Sequence, residues 1–188
     1  GPAIGLGYDS GAGNGPFGLG WTLSVPSVTR KTERGLPTYD DDKDTFIIAG
    51  AEELVPRLVE DNNAWIADTY STVDELVSYD VTRYRPRTEG SFTRIERWRR
   101  TSDGDVHWRT LSAGNSWAYF GRTSASRIAD PAHPSHVFTW LLDETSDDRG
   151  NVVTYAYVAE DLVNVDTFAL HERHRAGGAS PIANRYLK

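Results

Sequence analysis

Two histidine pairs, His133/His136 and His171/His174, are the first places in this sequence where chemistry could sit. Imidazoles at i, i+3 can share a helical face and hold a transition metal. The first pair lies in a loop containing Pro131 and Pro134, and the second lies among Glu172, Arg173 and Arg175. Proline removes an amide that a helix interior needs. Both pairs are read as solvated or locally hydrogen-bonded histidines, and no metal is expected.

Carboxylates offer two further possibilities. The run Asp40-Asp41-Asp42-Lys43-Asp44 could present oxygen ligands to calcium. It lacks the spacing, the internal glycine and the closing glutamate of an EF-hand loop, so a solvated acidic loop is expected. Glu96, Asp103, Asp105, Asp143 and Glu144 could supply a glycosidase acid and base, with Trp98, Trp108 and Trp140 stacking on sugars. Nothing in their spacing sets two carboxylates on facing strands, and the tryptophans are expected in the sheet core. The basic cluster Arg94, Arg97, Arg99 and Arg100 interleaves with Glu96 and Trp98. On a strand, Arg97 and Arg99 share a face with Ile95. Pairing with Asp105 or another acid is the expected role.

The stretch GAGNGPFGLGW at residues 11–21 is the most distinctive. Gly11, Gly13, Gly15, Gly18 and Gly20 allow a tight corner, Asn14-Gly15 is a turn signal, and Phe17 and Trp21 are anchors. The expected strand after the corner buries Trp21, Leu23 and Val25. A phosphate-binding loop would need a following Lys-Ser/Thr and a helix, and neither is in view. No GxSxG elbow occurs. No catalytic residue and no cofactor are expected.

The elements that would position these residues are strands. Period-two alternation recurs between turn signals. Strands are expected near 3–9, 20–30, 46–48, 54–56, 91–100, 105–111 and 116–122. Asp103-Gly104 joins two of them, and Pro56 marks an edge strand or a strand end. Residues 137–145 and 151–158 form the clearest hairpin, with a turn at 147–151. Both faces of its first strand are apolar, so cover on both sides is expected. The one candidate helix is 161–175, ended by Gly177-Gly178.

The 188 residues suit one domain with a sizeable core. The formal charge of −7 argues against a nucleic-acid partner. No apolar run is long enough to span a bilayer as a helix. The absence of cysteine excludes disulfides, thiolate metal sites and cysteine nucleophiles. Methionine is absent even at position 1, and both ends read as strands under way. A piece of a longer chain is expected.

YDSGAGNGPFGLGWTLSVPSVTRKTERGLPTYDDDKDTF resembles the opening signature of the SpvB-type domain. RYRPRTEGSFTRIERW, DGDVHW, SRIADPAHPSHVFTWLLDETSDDRGN and ANRYLK follow in order and resemble the version in B subunits of Tc insecticidal toxins. TSDDRGNVVTYAY also resembles one YD-type repeat unit. The resemblance implies an all-β fold of short antiparallel strands within a larger Rhs/YD-like shell, with 1–188 as one domain. It implies three partners: the rest of a B-type chain, a C-type Rhs-like subunit, and an A-type pore-forming subunit. It implies neither nucleic-acid binding nor direct membrane insertion. The expected role is a non-enzymatic shell wall that helps enclose and deliver a C-terminal toxin. The location implied is cytoplasmic before release and extracellular in the complex. In one branch of the family an ADP-ribosyltransferase occupies a separate C-terminal region. Such enzymes use a Glu-x-Glu pair, and this chain has only the adjacent Glu52-Glu53. A carbohydrate-binding or carbohydrate-active β domain is the alternative, decided by whether Trp98, Trp108, Trp117 and Trp140 are buried or form a platform.

Overall fold

A computed structural model describes residues 5–11, 13–15, 18–33, 35–50, 52–88, 93–161, 163, 166, 169–170 and 183–188. Among these, regular structure is all strand except for 3₁₀ turns at Ser124–Ser126 and at Ala183. The N-terminal strands are β1 (Leu6–Tyr8), β2 (Asn14–Gly15), β3 (Gly18–Leu19), β4 (Trp21–Leu23) and β5 (Ser27–Arg30). Next come β6 (Phe46–Ile48), β7 (Glu52–Pro56), β8 (Leu58–Asp61), β9 (Ala64–Ala67), β10 (Thr69–Asp74) and β11 (Val77–Pro86). Then follow β12 (Arg94–Arg100), β13 (Val106–Leu111), β14 (Trp117–Phe120), β15 (Arg127–Ala129) and β16 (Val137–Ser146). The last are β17 (Val152–Thr154), β18 (Tyr157–Ala159) and β19 (Arg185–Leu187).

The main sheet closes on itself. Its order is β11-β12-β13-β14-β16-β5-β6-β7, and β7 pairs back onto β11 through Tyr84↔Pro56, Arg85↔Val55 and Pro86↔Leu54. Eight antiparallel strands thus form a barrel, a size whose interior side chains can fill. Closure also removes the free edges that an open sheet would expose. β10 adds to β11, while β15 and β17 add to β16.

Alternation fills the barrel. Val28, Phe46, Leu54, Tyr84, Ile95, Trp108, Phe120, Trp140 and Leu142 all belong to the buried core. Trp108 and Trp140 are 0% and 1% exposed. Phe46 and Tyr84 meet Trp108 edge-on at 4.9 and 5.0 Å, and Trp140 meets it at 6.1 Å. Edge-to-face pairs of this kind contribute about 0.5–1.5 kcal/mol each beyond burial.

Two glycines are required by this packing. Gly121 has φ +69°, and a Cβ there would lie 2.3 Å from Trp140 Cδ1. Gly20 has φ +81°, and a Cβ there would lie 2.7 Å from the Tyr8 ring and 2.8 Å from the Asp9 carbonyl.

Most expected strands are present. Pro56 is indeed a strand end, and the 103–105 and 147–151 turns join the expected partners. Cover on both sides of β16 holds only in part. Trp140 and Leu142 are sealed inside the barrel, whereas Phe138 and Leu141 are half-buried. Other expectations are corrected. The strand at 20–30 is broken into β4 and β5, with Pro26 in the break. Trp21 is exposed rather than buried, because among the described residues β4 pairs with β1 alone and nothing covers this two-stranded ribbon. Its indole meets the Tyr8 ring across the ribbon at 5.3 Å. Asn14-Gly15 is a hairpin arm rather than the turn, since the chain reverses between Gly15 and Gly18. Gly18, at φ +100°, supplies the positive torsion assigned to that turn. The segment 151–158 divides, with β17 on β16 and β18 on β19. Most of the expected helix at 161–175 lies outside the described residues, and its described positions are coil, bend or turn.

Residues 57–88 carried no sequence expectation beyond their place in the family. They form the β8–β9 hairpin and the β10–β11 hairpin that closes the barrel. Their turns put Asn62, Asn63, Glu75 and Leu76 at positive φ.

Candidate functional site

One end of the barrel is clasped by the loop between β5 and β6. Arg30 ends β5 and points into the lumen, 3% exposed. Its Nη1 donates to Asp44 at 2.8 Å, Nη2 to Asp41 at 2.5 Å, and Nε to the Val137 carbonyl at 2.8 Å. Its guanidinium lies 5.2 Å from the ring centres of Phe46 and Trp140 and 5.4 Å from Tyr39. Arg97 of β12 reaches the same loop, donating to the Asp41 carbonyl at 2.7 Å and to Asp42 at 3.2 Å. A buried guanidinium is tolerable only when paired and hydrogen-bonded. The acidic run supplies those partners, so it is only partly solvated: Asp42 and Lys43 face water, while Asp41 and Asp44 turn inward. Burial pushes the Asp44 carboxyl up. The Thr38 amide and hydroxyl, Arg30 and the Tyr39 amide outweigh it and hold the group below the usual carboxylate range.

A cavity of about 950 Å³ opens at this clasped end. Arg30, Tyr39, Asp40, Asp105, Arg127, Asp130 and His136 are among its lining residues. Several of its charges are paired with one another, as in the two-pronged Arg127–Asp105 bridge at 2.5 and 2.9 Å. On the rim, His136 stacks on Tyr39 at 4.5 Å with planes 8° apart. Asp130, His133 and His136 bring ligand atoms within 4.8 Å of one another. His171 and His174 lie outside the described residues.

The candidate glycosidase carboxylates are occupied by arginines and neighbours. Glu96 is fully buried and accepts from Tyr70, Arg94 and Trp98. Asp103 and Asp105 pair with Arg100. Asp143 and Glu144 pair with Arg122. Burial raises the Asp143 carboxyl, against the Arg122 and Ser126 bonds. Trp98, Trp108 and Trp140 are buried and Trp117 is half-buried, so these indoles make no open platform. The arginines of β12 divide as expected, with Ile95 and Arg97 inside and Arg94 beside Glu96 and Trp98 outside.

The outer face carries a ladder that sequence reasoning missed. Arg83, Glu96, Arg109, Tyr119 and Glu144 face one another in register across β11, β12, β13, β14 and β16. Arg109 stacks 3.6 Å over Trp98, donates to Asp74 at 2.5 Å, and donates to His107 Nε2 at 3.0 Å. Burial, and then the Arg109 charge, lower the His107 pKa to about 3. The imidazole is therefore a neutral acceptor. Arginine and acid alternate here from strand to strand, as Arg83, Glu96 and Arg109, so the ladder shows only once the strands are paired.

The glycine-rich corner is distant from this chemistry in role. Gly11, Gly13, Gly18 and Trp21 are exposed, Gly20 is buried, and Phe17 lies outside the described residues. The Gly20 amide donates to the Gly13 carbonyl at 3.2 Å, and the Asp9 amide to the Gly20 carbonyl at 2.9 Å, which ties the corner together.

A family model described as "SpvB: Salmonella virulence plasmid 65kDa B protein" matches residues 1–188. The curated protein "Mono(ADP-ribosyl)transferase SpvB" of Salmonella typhimurium is 37% identical over 99% of this chain, and the namesake of Salmonella dublin is equally similar. The chain spans about a third of the length of these relatives, 34% and 33%. Among solved structures, the N-terminal domain of effector protein SpvB from Salmonella typhimurium aligns over all of this chain and 57% of its own, at TM-score 0.85 and 38% identity. The TcdB2-TccC3-Cdc42 complex aligns over 99% of this chain at TM-score 0.83 and 31% identity. The Photorhabdus luminescens Tc holotoxin pore aligns at TM-score 0.81 and 32% identity. This chain corresponds to only 8% of each of the latter two.

Proposed function

Because the chain belongs to the SpvB family, we propose that it is a non-enzymatic structural module of a bacterial toxin component, forming part of a β-shell wall that encloses and helps deliver a toxic polypeptide. The observation that carries this reading is the match of nearly the whole chain, at TM-score 0.83, to 8% of a TcdB2-TccC3 chain. A piece that small is a module of a much larger body. Its partners in this reading are the rest of a B-type chain, a C-type Rhs-like subunit and an A-type pore-forming subunit. Its location is extracellular once the complex is released.

The surface supports a role in assembly. The β1–β4 ribbon exposes Leu6, Tyr8 and Trp21, and the β8–β9 ribbon exposes Leu58, Trp65 and Ile66. Two-stranded ribbons with bare apolar side chains gain stability when something packs on them. Transferase activity is not assigned to this chain, which spans a third of the relatives bearing that name and has no Glu-x-Glu pair. The carbohydrate reading loses its platform, since Trp98, Trp108 and Trp140 are buried and Trp117 is half-buried.

The test is protection of a payload. The full-length chain is co-expressed with a C-type partner, and the partner's C-terminal polypeptide is challenged with protease. Encapsulation predicts a stable co-purifying complex and slow digestion. Digestion at the same rate with and without the B-type chain overturns the reading.

A further inference from the structure

We propose that Asp130, His133 and His136 form a binding site for a divalent transition metal of the zinc type, built into the loop between β15 and β16. The donor set is two imidazoles and one carboxylate, which suits Zn²⁺ and leaves a fourth position for water. Expectation from sequence was the opposite, because helical spacing was the template and prolines forbid a helix here.

The prolines build the site by another route. Asp130-Pro131-Ala132-His133 and His133-Pro134-Ser135-His136 are two consecutive turns sharing His133. The His133 amide donates to the Asp130 carbonyl at 3.1 Å, and the His136 amide to the His133 carbonyl at 2.8 Å. Each turn has proline at its second position, where a fixed φ favours the geometry. A donor side chain therefore recurs every third residue, once per turn. The Asp130 amide also donates to the His136 carbonyl at 3.1 Å, so the loop is closed at its base.

The side chains are arranged accordingly. Asp130 Oδ1 accepts the Ala132 amide at 2.9 Å, which fixes the carboxylate and turns Oδ2 toward His133. Oδ2 lies 3.1 Å from His133 Nδ1. His133 and His136 rings stack at 5.2 Å, and Tyr39 braces the far face of His136. Bonds of about 2.0–2.2 Å to a tetrahedral ion need the ligand atoms closer than their present 4.8 Å limit. His133 is 65% exposed and can swing to close that gap. The ion would take the place of the Asp130–His133 hydrogen bond. It would lock the β15–β16 loop against Tyr39 and so brace the clasp at the barrel end.

The experiment uses the full chain without an affinity tag, stripped with chelator and titrated with Zn²⁺ alone by calorimetry and elemental analysis. Co²⁺ then reports tetrahedral coordination through its visible absorption. One Zn²⁺ per chain is expected. H133N and H136N should weaken it by more than the roughly 10–100-fold that loss of an outer-shell partner costs. The H171N/H174N variant should bind as the parent does. Circular dichroism confirms that each variant is folded. The proposal is overturned if no stoichiometric Zn²⁺ binds, if the H133N/H136N double variant binds unchanged, or if binding is lost with His171 and His174 instead.

Discussion

Arg30→Met removes the charge that clasps loop 31–45 while keeping an unbranched apolar stem against Phe46 and Trp140. Three hydrogen bonds go with it, to Asp41, Asp44 and the Val137 carbonyl. Asp44, with a side chain 8% exposed, is left buried without a cation. Removing one partner of a buried ion pair costs about 3–5 kcal/mol. Asp44 keeps its Thr38 and Tyr39 donors, and Asp41 is 21% exposed and can turn to water, so the lower end, about 3 kcal/mol, applies. That is a large share of the roughly 5–15 kcal/mol that holds a domain together. With a urea slope of about 2 kcal/mol/M, the midpoint should fall by about 1.5 M. The assay is urea unfolding followed by tryptophan fluorescence, since Trp140 lies beside the change and Trp108 packs on Trp140. Lys43→Met, which breaks the exposed Lys43–Asp40 pair, is the control and should leave the midpoint in place. Adding Asp44→Asn to Arg30→Met should recover part of the loss, whereas Asp44→Asn alone should destabilise. The Asp44 pKa is lowered by folding, so its share of stability is present above about pH 4 and is lost as pH falls through the folded value. Arg30→Met should shrink that acid-side loss. The reasoning is refuted if Arg30→Met moves the midpoint no further than Lys43→Met, or if Asp44→Asn costs the same in both backgrounds.

Two further predictions concern the barrel wall. His107 has a folded pKa of about 3 against an ordinary value near 6.5, so the unfolded chain binds the proton more readily. Stability should therefore decline as pH falls below about 6.5, by up to about 1.4 kcal/mol per unit while other groups hold. His107→Gln should flatten that slope, and NMR of the ring should show it neutral at pH 5; a normal titration refutes the burial argument. Gly121→Ala should cost about 2–4 kcal/mol, from left-handed strain and a Cβ driven into Trp140, whereas Gly114→Ala, in open contact, should be near neutral. Equal thermal midpoints for the two would refute it.

The hairpins were legible in the sequence because their information is local. Asp103-Gly104 and Asp147 to Asn151 state a turn, and alternation on either side states which residues face inward. Barrel closure was not legible. It depends on β7 meeting β11 and on β5 lying between β16 and β6, pairings that no neighbouring residue records. Trp21 shows the same limit from the other side. Its strand pattern is sound, but burial needs a second layer, and the ribbon on which it lies has none among the described residues. Arg30 was hidden because Thr29-Arg30-Lys31-Thr32 reads as a polar strand end, and only the closed lumen turns the arginine inward.

That inward turn links the acidic loop, the barrel and the candidate metal site into one device. A barrel packed with indole and phenyl rings needs nothing polar to stay closed, so two buried arginines at one end require a reason. Their bonds all run to the loop 31–45 or to the start of β16. They hold a long connection in one shape at the price of desolvating two cations. Tyr39 in that connection then stacks on both Arg30 and His136. The loop bearing Asp130, His133 and His136 is thereby referred to the barrel core through the Tyr39 ring. A wall module that must present one fixed end to its neighbours gains from such bracing, because a floppy connection would pay an ordering cost in assembly. Tyr39→Ala separates the two possibilities: if the clasp exists to position the rim, Zn²⁺ affinity should fall while the urea midpoint barely moves. If the clasp serves the core alone, the midpoint should fall and the metal should bind as before.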